Sequence, residues 1–360
     1  MMESGETHFR YKTLTPKNAE YKSYLMGEFS AEERAIPQPS LNLQSINEIV
    51  TFEIRPIAQL EAAPLWKKLW LLLKPQTWLT VLVPLIMIAN IERGATIQPA
   101  LLLSLVLLGL LIVANWKADL ADHLEGWDRL QCGSEKSVLQ KGWFTGQQLV
   151  RWSWVLLSVS ILFGLPLLKQ LPWVLVPYAI AVLSLLLLLP RWWRKSIWPG
   201  LSSFCIFLLT GPLLTVGIDL AFDGEFSRNS LFLGICWGLW MSFVRQQKIY
   251  TKQWYLYQKQ APYFFLGLGF DRSKSLMRLL IPGIPLLMVL MTMFVNGGAA
   301  WFFPLSVVHF VFVYFELQWN EKVQTSIGSS LQNLQKLFDW HFYAIALIMV
   351  MGAVVWKTTV

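Results

Sequence analysis

The sequence predicts an all-α polytopic membrane protein with about nine transmembrane helices, and three of its features support this fold class. Of the 360 residues, 55% are hydrophobic and only 14% are charged, whereas soluble domains contain about 25% charged residues. Long intervals without a charged residue recur along the chain, and the basic residues concentrate in alternate loops between them. This composition, with a mean hydropathy of +0.46, excludes a water-soluble enzyme, a disordered chain and a fibrous repeat protein.

The charge-free intervals locate the helices, because a helix needs roughly 20 apolar residues to cross the hydrocarbon layer. The interval between Arg278 and Glu316 is long enough for two helices, with Asn296-Gly297-Gly298 as a turn near its middle. A last helix is predicted from Trp340 to Trp356. The other six predicted spans lie within 74–92, 93–117, 151–169, 169–191, 195–219 and 228–245.

The basic residues predict the orientation in the membrane. From residue 65 onward, nearly all Lys and Arg residues fall before the first span or in the loops after even-numbered spans. By the positive-inside rule, those loops are cytoplasmic. We therefore expect the N-terminus in the cytoplasm, the C-terminus outside, and a bacterial inner membrane as the location. The net charge of +8 is attributed to these loops, and no nucleic-acid partner is expected.

Residues 1–64 have a different composition from residues 65–360, which form the predicted membrane domain. The first segment carries more acidic than basic residues and no long apolar run. It is interpreted as a polar, partly disordered cytoplasmic extension, in which 46–57 forms a short strand or a piece lying on a surface. The three cysteines and four histidines are scattered and suggest neither a disulfide framework nor a zinc site.

An unusual group of polar residues follows the second predicted span. Asn115, Asp119 and Asp122 are spaced i, i+4, i+7, so a helix would place them on one face. Mg²⁺ is commonly held by one or two carboxylates together with phosphate oxygens and waters. The residues therefore predict a single magnesium site, and the alternative is a solvated acidic loop that balances nearby lysines.

Several motifs, taken in order, resemble the UbiA-type superfamily of intramembrane prenyltransferases, and most closely its 1,4-dihydroxy-2-naphthoate polyprenyltransferase branch. The first aspartate-rich motif of that branch is similar to Asn115, Asp119, Glu125, Asp128 and Arg129. The resemblance covers about residues 65–355 and implies nine helices around a central, lipid-facing cavity. Other stretches similar to the branch are Lys74-Pro75-Gln76-Thr77, 139–145, the residues Gly200, Gly211, Pro212 and Gly217, and Gly267-Leu268-Gly269.

The resemblance also implies a function and a set of site residues. The implied reaction transfers a prenyl group from a prenyl diphosphate to an aromatic or other lipid-pathway acceptor within the membrane, with Mg²⁺ as the cofactor. Asp119 and Asp122 are the implied catalytic residues, and with Asn115 they are the implied metal ligands. The predicted contacts to the diphosphate are Arg129, Lys136, Lys141, Arg245, Lys248 and Lys252.

The chain departs from the family pattern in ways that leave a second interpretation open. Trp116 and His123 replace acidic positions of the first motif, and no Asp or Glu occurs between Glu225 and Asp271, where the second aspartate motif belongs. Basic residues Arg245, Lys248 and Lys252 stand there instead, as diphosphate contacts or as ordinary cytoplasmic lysines and arginines. The alternative function is a catalytically inactive relative that binds an isoprenoid, a quinone-like lipid or a partner protein.

Two further polar residues lie in the eighth predicted span. Glu316 is expected to point to solvent or to pair with a loop lysine near the cytoplasmic end of the span. His309 is expected to be a hydrogen-bonded core histidine, with acceptor binding as the alternative.

Overall fold

The computed structural model describes most of the chain. The described residues are 10–28, 30, 32–39, 49–60, 62–91, 97–126, 128–130, 137–168, 176–178, 180–182, 184, 200–223, 227–258, 264–295 and 299–359.

The described part of the chain is mostly helical. Three strands occur near the N-terminus: β1 (Arg10–Leu14), β2 (Glu33–Pro37) and β3 (Val50–Pro56). The helices are α1 (Tyr21–Met26), α2 (Leu65–Leu73), α3 (Leu79–Ile91), α4 (Ile97–Leu124), α5 (Gly146–Leu168), α6 (Leu201–Thr210), α7 (Pro212–Asp223), α8 (Arg228–Thr251), α9 (Gln253–Gln258), α10 (Phe264–Leu268), α11 (Phe270–Thr292), α12 (Ala299–Lys322) and α13 (Ser329–Thr359).

The chain forms two compact units. Unit 1 comprises Met1–Pro75 and Ile112–Ser158, and unit 2 comprises Gln76–Leu111 and Val159–Val360. Unit 1 thus combines the predicted extension 1–64 with the segment that carries the first aspartate motif. The division at residue 64, between a polar extension and a membrane domain, stays a prediction.

Unit 1 contains a small antiparallel sheet with the strand order β1-β3-β2. Tyr11 pairs with Glu53 across one side of β3, and Ala35 pairs with Ile54 across the other. The sheet and α1 bury an apolar cluster that consists of Leu14, Tyr24, Leu25, Val50 and Phe52. The prediction of an all-α chain misses this sheet, although the sequence predicts a short strand or a surface-lying piece at 46–57. The alternation of apolar and polar residues in 46–57 is too short to be a strong strand signal in a sequence dominated by long apolar helices.

An ion pair holds α1 against the sheet. The Lys12 ammonium on β1 donates to the Glu20 carboxylate at 2.5 Å and to the Tyr24 hydroxyl at 3.1 Å. The hydrogen bond to Glu20, followed by the one to Tyr24, raises the pKa of Lys12. These contacts fix the helix whose Tyr21 and Leu25 reach the motif segment described below.

Unit 2 is built around α8, whose central side chains are fully buried. Trp237, Trp240 and Tyr250 have no exposed surface. Small residues allow α8 to approach α6 closely, because a Cβ atom on Gly238 would lie 2.5 Å from the carbonyl oxygen of Phe207. Close approach at small residues is the usual way in which membrane helices pack, since lipid provides no hydrophobic drive for their association.

Six described helices are long and apolar enough to cross a membrane, or seven if 65–77 and 79–91 form one broken span. The predicted span at 228–245 is helical as part of α8, and the predicted span at 169–191 lies largely outside the described residues. The predicted number of nine is therefore not confirmed. The six helices are Ile97–Leu124, Gly146–Leu167, Leu201–Phe222, Phe270–Thr292, Trp301–Lys322 and Ser329–Val355.

Helix α12 illustrates the reversed polarity of a membrane helix. Phe303, Val307 and Phe310 are between 63% and 78% exposed on one face. The opposite face buries His309 and Glu316. An apolar exterior combined with polar interior residues is costly in water and normal in lipid, where interior polar groups usually serve a function.

Candidate functional site

The predicted aspartate helix exists, and it extends beyond the apolar part of its span. Helix α4 continues without a break through Asn115, Asp119 and Asp122 to Leu124. All three polar side chains are half-buried, so neither carboxylate points freely into bulk water. The i, i+4, i+7 spacing therefore places them on one helical face, as the sequence predicts.

A lysine ammonium lies at Asp119. The Nζ atom of Lys74 is 2.5 Å from Oδ1 of Asp119, and the two side chains are 29% and 17% exposed. Lys74 follows the C-terminus of α2 with a φ of 48°, the left-handed conformation common at helix C-termini, and Pro75 prevents continuation of the helix. Sequence reasoning noticed Lys74 only as part of a motif and missed its role as the partner of Asp119.

Trp116 explains one departure from the family motif. This residue replaces an aspartate beside Asn115, and its side chain is buried. The indole N–H donates to the carbonyl oxygen of Leu72 at 2.8 Å. That carbonyl belongs to the last turn of α2, where no helical N–H is available to it. Trp116 thus fixes the end of α2, from which Lys74 reaches Asp119.

His123 explains the second departure. Its ring is buried, with Nδ1 2.7 Å from Oδ2 of Asp128 and Nε2 3.2 Å from the carbonyl oxygen of Leu25. Both ring nitrogens face oxygen atoms, so with Asp128 as a carboxylate the ring would carry a proton on each nitrogen. His123 and Asp128 therefore connect the end of α4 to the N-terminal extension.

The remaining predicted site residues of unit 1 have different surroundings. Arg129 is buried and donates to the hydroxyl of Tyr21 at 3.0 Å. Lys141 places its ammonium 4.6 Å from the ring centre of Trp143, within the range of a cation–π interaction. Lys136 lies outside the described residues.

The basic residues of unit 2 lie at the C-terminal end of α8. Arg245 and Lys248 belong to its last two turns and Lys252 caps it, which is a favourable place for cations because helix carbonyls point there. Lys248 is exposed, and the other two are half-buried. Lys248 lines a small pocket between α8 and α13, together with Val244, Gln247, Thr251, Gln335, Phe338 and Asp339.

Asp339 is an acidic residue that sequence reasoning did not consider. It brings a carboxylate to the same pocket as Lys248, although no acidic residue lies near Lys248 in the sequence. The sequence signal for this residue was the position of Asp339 directly before Trp340, at the predicted start of the last span. Asn115, Asp119 and Asp122 belong to unit 1, whereas the basic residues of α8 belong to unit 2.

The unit 1 residues fit Mg²⁺ only as part of a larger ligand set. Two carboxylates and an amide oxygen are hard donors of the kind that Mg²⁺ prefers when phosphate oxygens complete its shell. The described residues contain no group of three His, Cys, Asp or Glu side chains that could hold a metal ion. The ammonium at Asp119 shows that this carboxylate accommodates a cation.

Glu316 differs from expectation, and His309 agrees with it. Glu316 neither points to solvent nor pairs with a lysine: it is fully buried, and its Oε1 lies 2.7 Å from Nδ1 of His341. His309 is a hydrogen-bonded core histidine, as expected, and its Nδ1 lies 2.9 Å from Nε2 of His341. Spacing in sequence offered no sign of this cluster, because His341 is contributed by another helix.

Solved structures similar to this chain were found, although no family model and no curated protein matches it. A structure of digeranylgeranylglyceryl phosphate synthase matches with a TM-score of 0.55 and 16% identity, over 81% of this chain and 99% of its own. A UbiA homolog from Archaeoglobus fulgidus bound to GPP and Mg²⁺ matches with a TM-score of 0.59 and 13% identity, over 80% and 99%. A UbiA homolog from the same organism bound to DMAPP and Mg²⁺ matches with a TM-score of 0.56 and 14% identity, over 78% and 99%.

At identities of 13% to 16%, the similarity to these structures shows the fold of this chain and nothing more. The matches cover nearly the whole of each neighbour, and the described helices include at least six of membrane-spanning length and composition. This chain is therefore an integral membrane protein with the fold of the UbiA-type prenyltransferases.

Proposed function

We propose that this protein is a membrane prenyltransferase that uses a prenyl diphosphate and Mg²⁺ to alkylate an acceptor within the membrane. The observation that carries the proposal is the half-buried Asn115, Asp119 and Asp122 set on α4, with a cationic group already at Asp119. The motifs quoted above favour the 1,4-dihydroxy-2-naphthoate polyprenyltransferase branch. Neighbours with this fold were solved with GPP or DMAPP and Mg²⁺, which is compatible with such a substrate.

Each of the two sets of residues, one in unit 1 and one in unit 2, has a proposed chemical role. Asn115, Asp119 and Asp122 would hold Mg²⁺, which when bound neutralises charge on the departing diphosphate. Lys248 and Lys252 contribute fixed positive charge, and Arg245 a planar fork suited to phosphate oxygens. Cations at the end of α8 thus offset part of what the missing second aspartate motif would supply. Contacts from Arg129, Lys136 and Lys141 to the diphosphate remain predictions.

The first experiment measures release of diphosphate from labelled geranylgeranyl diphosphate by membranes containing the protein, with and without Mg²⁺. Asp119→Asn preserves the shape of the side chain and removes its charge. We expect it to lower the rate by about 100-fold or more, the typical effect of removing one group that stabilises transition-state charge. Asp271→Asn, at an exposed carboxylate, is the matched control and should keep full activity. Equal rates for the two variants would exclude the assigned role of Asp119.

A second experiment tests the basic residues. The double variant Lys248→Ala plus Lys252→Ala should weaken binding of the prenyl diphosphate and reduce its dependence on salt, because two phosphate-attracting charges are lost. Lys322→Ala plus Lys336→Ala removes the same charge from two exposed lysines and is the matched control. If both double variants bind equally well, the lysines of α8 are ordinary cytoplasmic charges.

A catalytically inactive relative is the second candidate, and two observations favour it. The acidic residues of the second aspartate motif are missing from the sequence. The Lys74 ammonium also lies at a carboxylate that a metal ion would need. Such a protein would bind a prenyl diphosphate or isoprenoid lipid without releasing diphosphate, so the binding and release assays together distinguish the two candidates.

A further inference from the structure

Helix α2 of unit 1 exposes large apolar side chains along one side. Their spacing of i, i+1, i+4 and i+5 places them on one face of the helix. These four residues are between 40% and 69% exposed: Leu65, Trp66, Leu69 and Trp70. Leu72, in contrast, is buried, and its carbonyl oxygen accepts the hydrogen bond from Trp116. The helix is therefore attached to unit 1 by one face and presents an apolar face outward.

Two lysines of unit 1 lie at a third tryptophan. The ammonium of Lys68, on α2, lies 5.9 Å from the ring centre of Trp143. The ammonium of Lys141 lies 4.6 Å from the centre of the same ring. All three side chains are half-buried, so the lysine stems lie along the protein and the group remains open to a ligand. Lys68, Lys141 and Trp143 are called the Trp143 site below.

The segments that form this surface carry no acidic residue. Neither 62–91 nor 137–168 contains an Asp or a Glu. Among the described residues, no carboxylate lies within ion-pair distance of Lys68 or Lys141. Two ammonium groups facing one ring repel each other, so an anion bound beside that ring would be attracted by both and would offset the repulsion.

The combination of apolar, aromatic and basic side chains fits a lipid with a negative headgroup. Tryptophan is enriched at the level of the headgroups, and lysine keeps its stem among apolar groups while its ammonium reaches the polar layer. A water-soluble anion would account for the two lysines but not for the apolar face of α2. A zwitterionic lipid would account for the apolar face but not for two positive charges without a carboxylate.

We propose that α2 and the Trp143 site form a binding surface for an anionic phospholipid. Acyl chains lie against the apolar face of α2, and Lys68 and Lys141 hold the headgroup phosphate beside Trp143. The proposal involves none of Asn115, Asp119 and Asp122, so it does not depend on the proposed function. For Lys141 it is an alternative to the predicted contact with a prenyl diphosphate.

Native mass spectrometry of the full-length protein in detergent micelles tests the proposal, because it counts bound lipids one at a time. The probes are phosphatidylglycerol, with one negative charge, and phosphatidylcholine with the same acyl chains and no net charge. We expect the first phosphatidylglycerol to bind at least about 10-fold more tightly than the first phosphatidylcholine, and this preference should shrink as salt is added. Equal affinities, or a preference that salt does not change, would overturn the proposal whatever the variants do.

Variants locate the site. Lys68→Ala plus Lys141→Ala should weaken binding of the first phosphatidylglycerol by about 20-fold and leave phosphatidylcholine binding unchanged, because two charges near the headgroup are lost. Lys68→Arg plus Lys141→Arg keeps both charges and should keep the preference. Lys322→Ala plus Lys336→Ala is the matched control: both lysines are exposed, and Lys322 lies 4.6 Å from the ring centre of Trp319. If this control loses as much affinity as the alanine pair at the Trp143 site, the proposal is wrong.

Two further results would assign the surface to another occupant. If geranylgeranyl diphosphate displaces the first phosphatidylglycerol one for one, the Trp143 site belongs to the prenyl substrate, and the lipid proposal is overturned. The same spectra report the oligomeric state of the protein. A dimer that forms without added lipid and is lost in Trp66→Ser plus Trp70→Ser would assign the apolar face of α2 to a second copy of the chain, and would overturn the proposal as well.

Discussion

Two buried histidine–carboxylate pairs, one in each unit, have the same distance and different surroundings. His123 lies 2.7 Å from Asp128 in unit 1, and His341 lies 2.7 Å from Glu316 in unit 2. The second ring nitrogen of His123 faces the carbonyl oxygen of Leu25, which can only accept. The second nitrogen of His341 faces another imidazole, which can accept or donate. The partner of the second nitrogen therefore distinguishes a fixed ion pair from a chain that can move a proton.

The difference also separates the roles of the two pairs. The contacts of His123 with Asp128 and with the carbonyl oxygen of Leu25 stabilise unit 1, because they connect the end of α4 to α1. Each pair leaves one carboxylate oxygen without a hydrogen-bond partner among the described residues, Oδ1 of Asp128 in unit 1 and Oε2 of Glu316 in unit 2. The feature that separates the two pairs is therefore the imidazole of His309 beside His341. Isosteric amide substitutions at the two carboxylates should separate these roles.

The largest effect is expected from Asp128→Asn. The amide cannot neutralise the His123 imidazolium, so a buried cation loses its counter-charge. Removing one partner of a buried ion pair costs about 3–5 kcal/mol, and since the amide keeps one hydrogen bond we expect about 3 kcal/mol. Hydrogen exchange of the backbone amides in β1, α1 and β3 measures this local free energy. Unchanged protection would mean that His123 is neutral and that the pair carries no charge.

A smaller effect is expected from Glu316→Gln. The amide N–H can donate to His341 Nδ1, so the hydrogen bond is kept, and the cost should be about 1 kcal/mol or less. Hydrogen exchange in α12 and α13 provides the measurement, with Asp271→Asn as the exposed control. A cost as large as that of Asp128→Asn would show that Glu316 stabilises unit 2 as one half of a fixed ion pair, which would remove the contrast between the two units.

The same comparison explains what the sequence could and could not predict. The helical face with Asn115, Asp119 and Asp122 follows from local spacing, because residues three or four apart are neighbours on any helix. The contact between Glu316 and His341 could not be predicted in this way, because His341 is 25 residues from Glu316 in sequence and reaches it from the next helix. The sheet was missed for a related reason: its pairings join segments such as Arg10 and Ile54 that only the folded chain brings together.

The comparison also applies to a third carboxylate, that of Asp119, whose partner is the ammonium of Lys74 and not a histidine. The Lys74–Asp119 pair is partly exposed, so Lys74→Met should change the stability of unit 1 by at most about 1 kcal/mol. Its main effect should be on metal binding, because the ammonium occupies a carboxylate oxygen that Mg²⁺ would use. Titration calorimetry with Mg²⁺ should show tighter binding in Lys74→Met than in the wild type, and no such gain when Asp119→Asn is added.

Lys67→Met removes one charge from an exposed lysine of the same helix and controls for the loss of general positive charge. Unlike the histidine pairs, whose partners are enclosed, Lys74 holds a place that solvent and a ligand can reach. A ligand can therefore displace it, and the carboxylate passes from one cation to another without a buried charge being left alone. If Mg²⁺ binding is no tighter in Lys74→Met than in Lys67→Met, Asp119 is paired structurally in the way Asp128 is, and the distinction between exchangeable and fixed carboxylates in unit 1 is wrong.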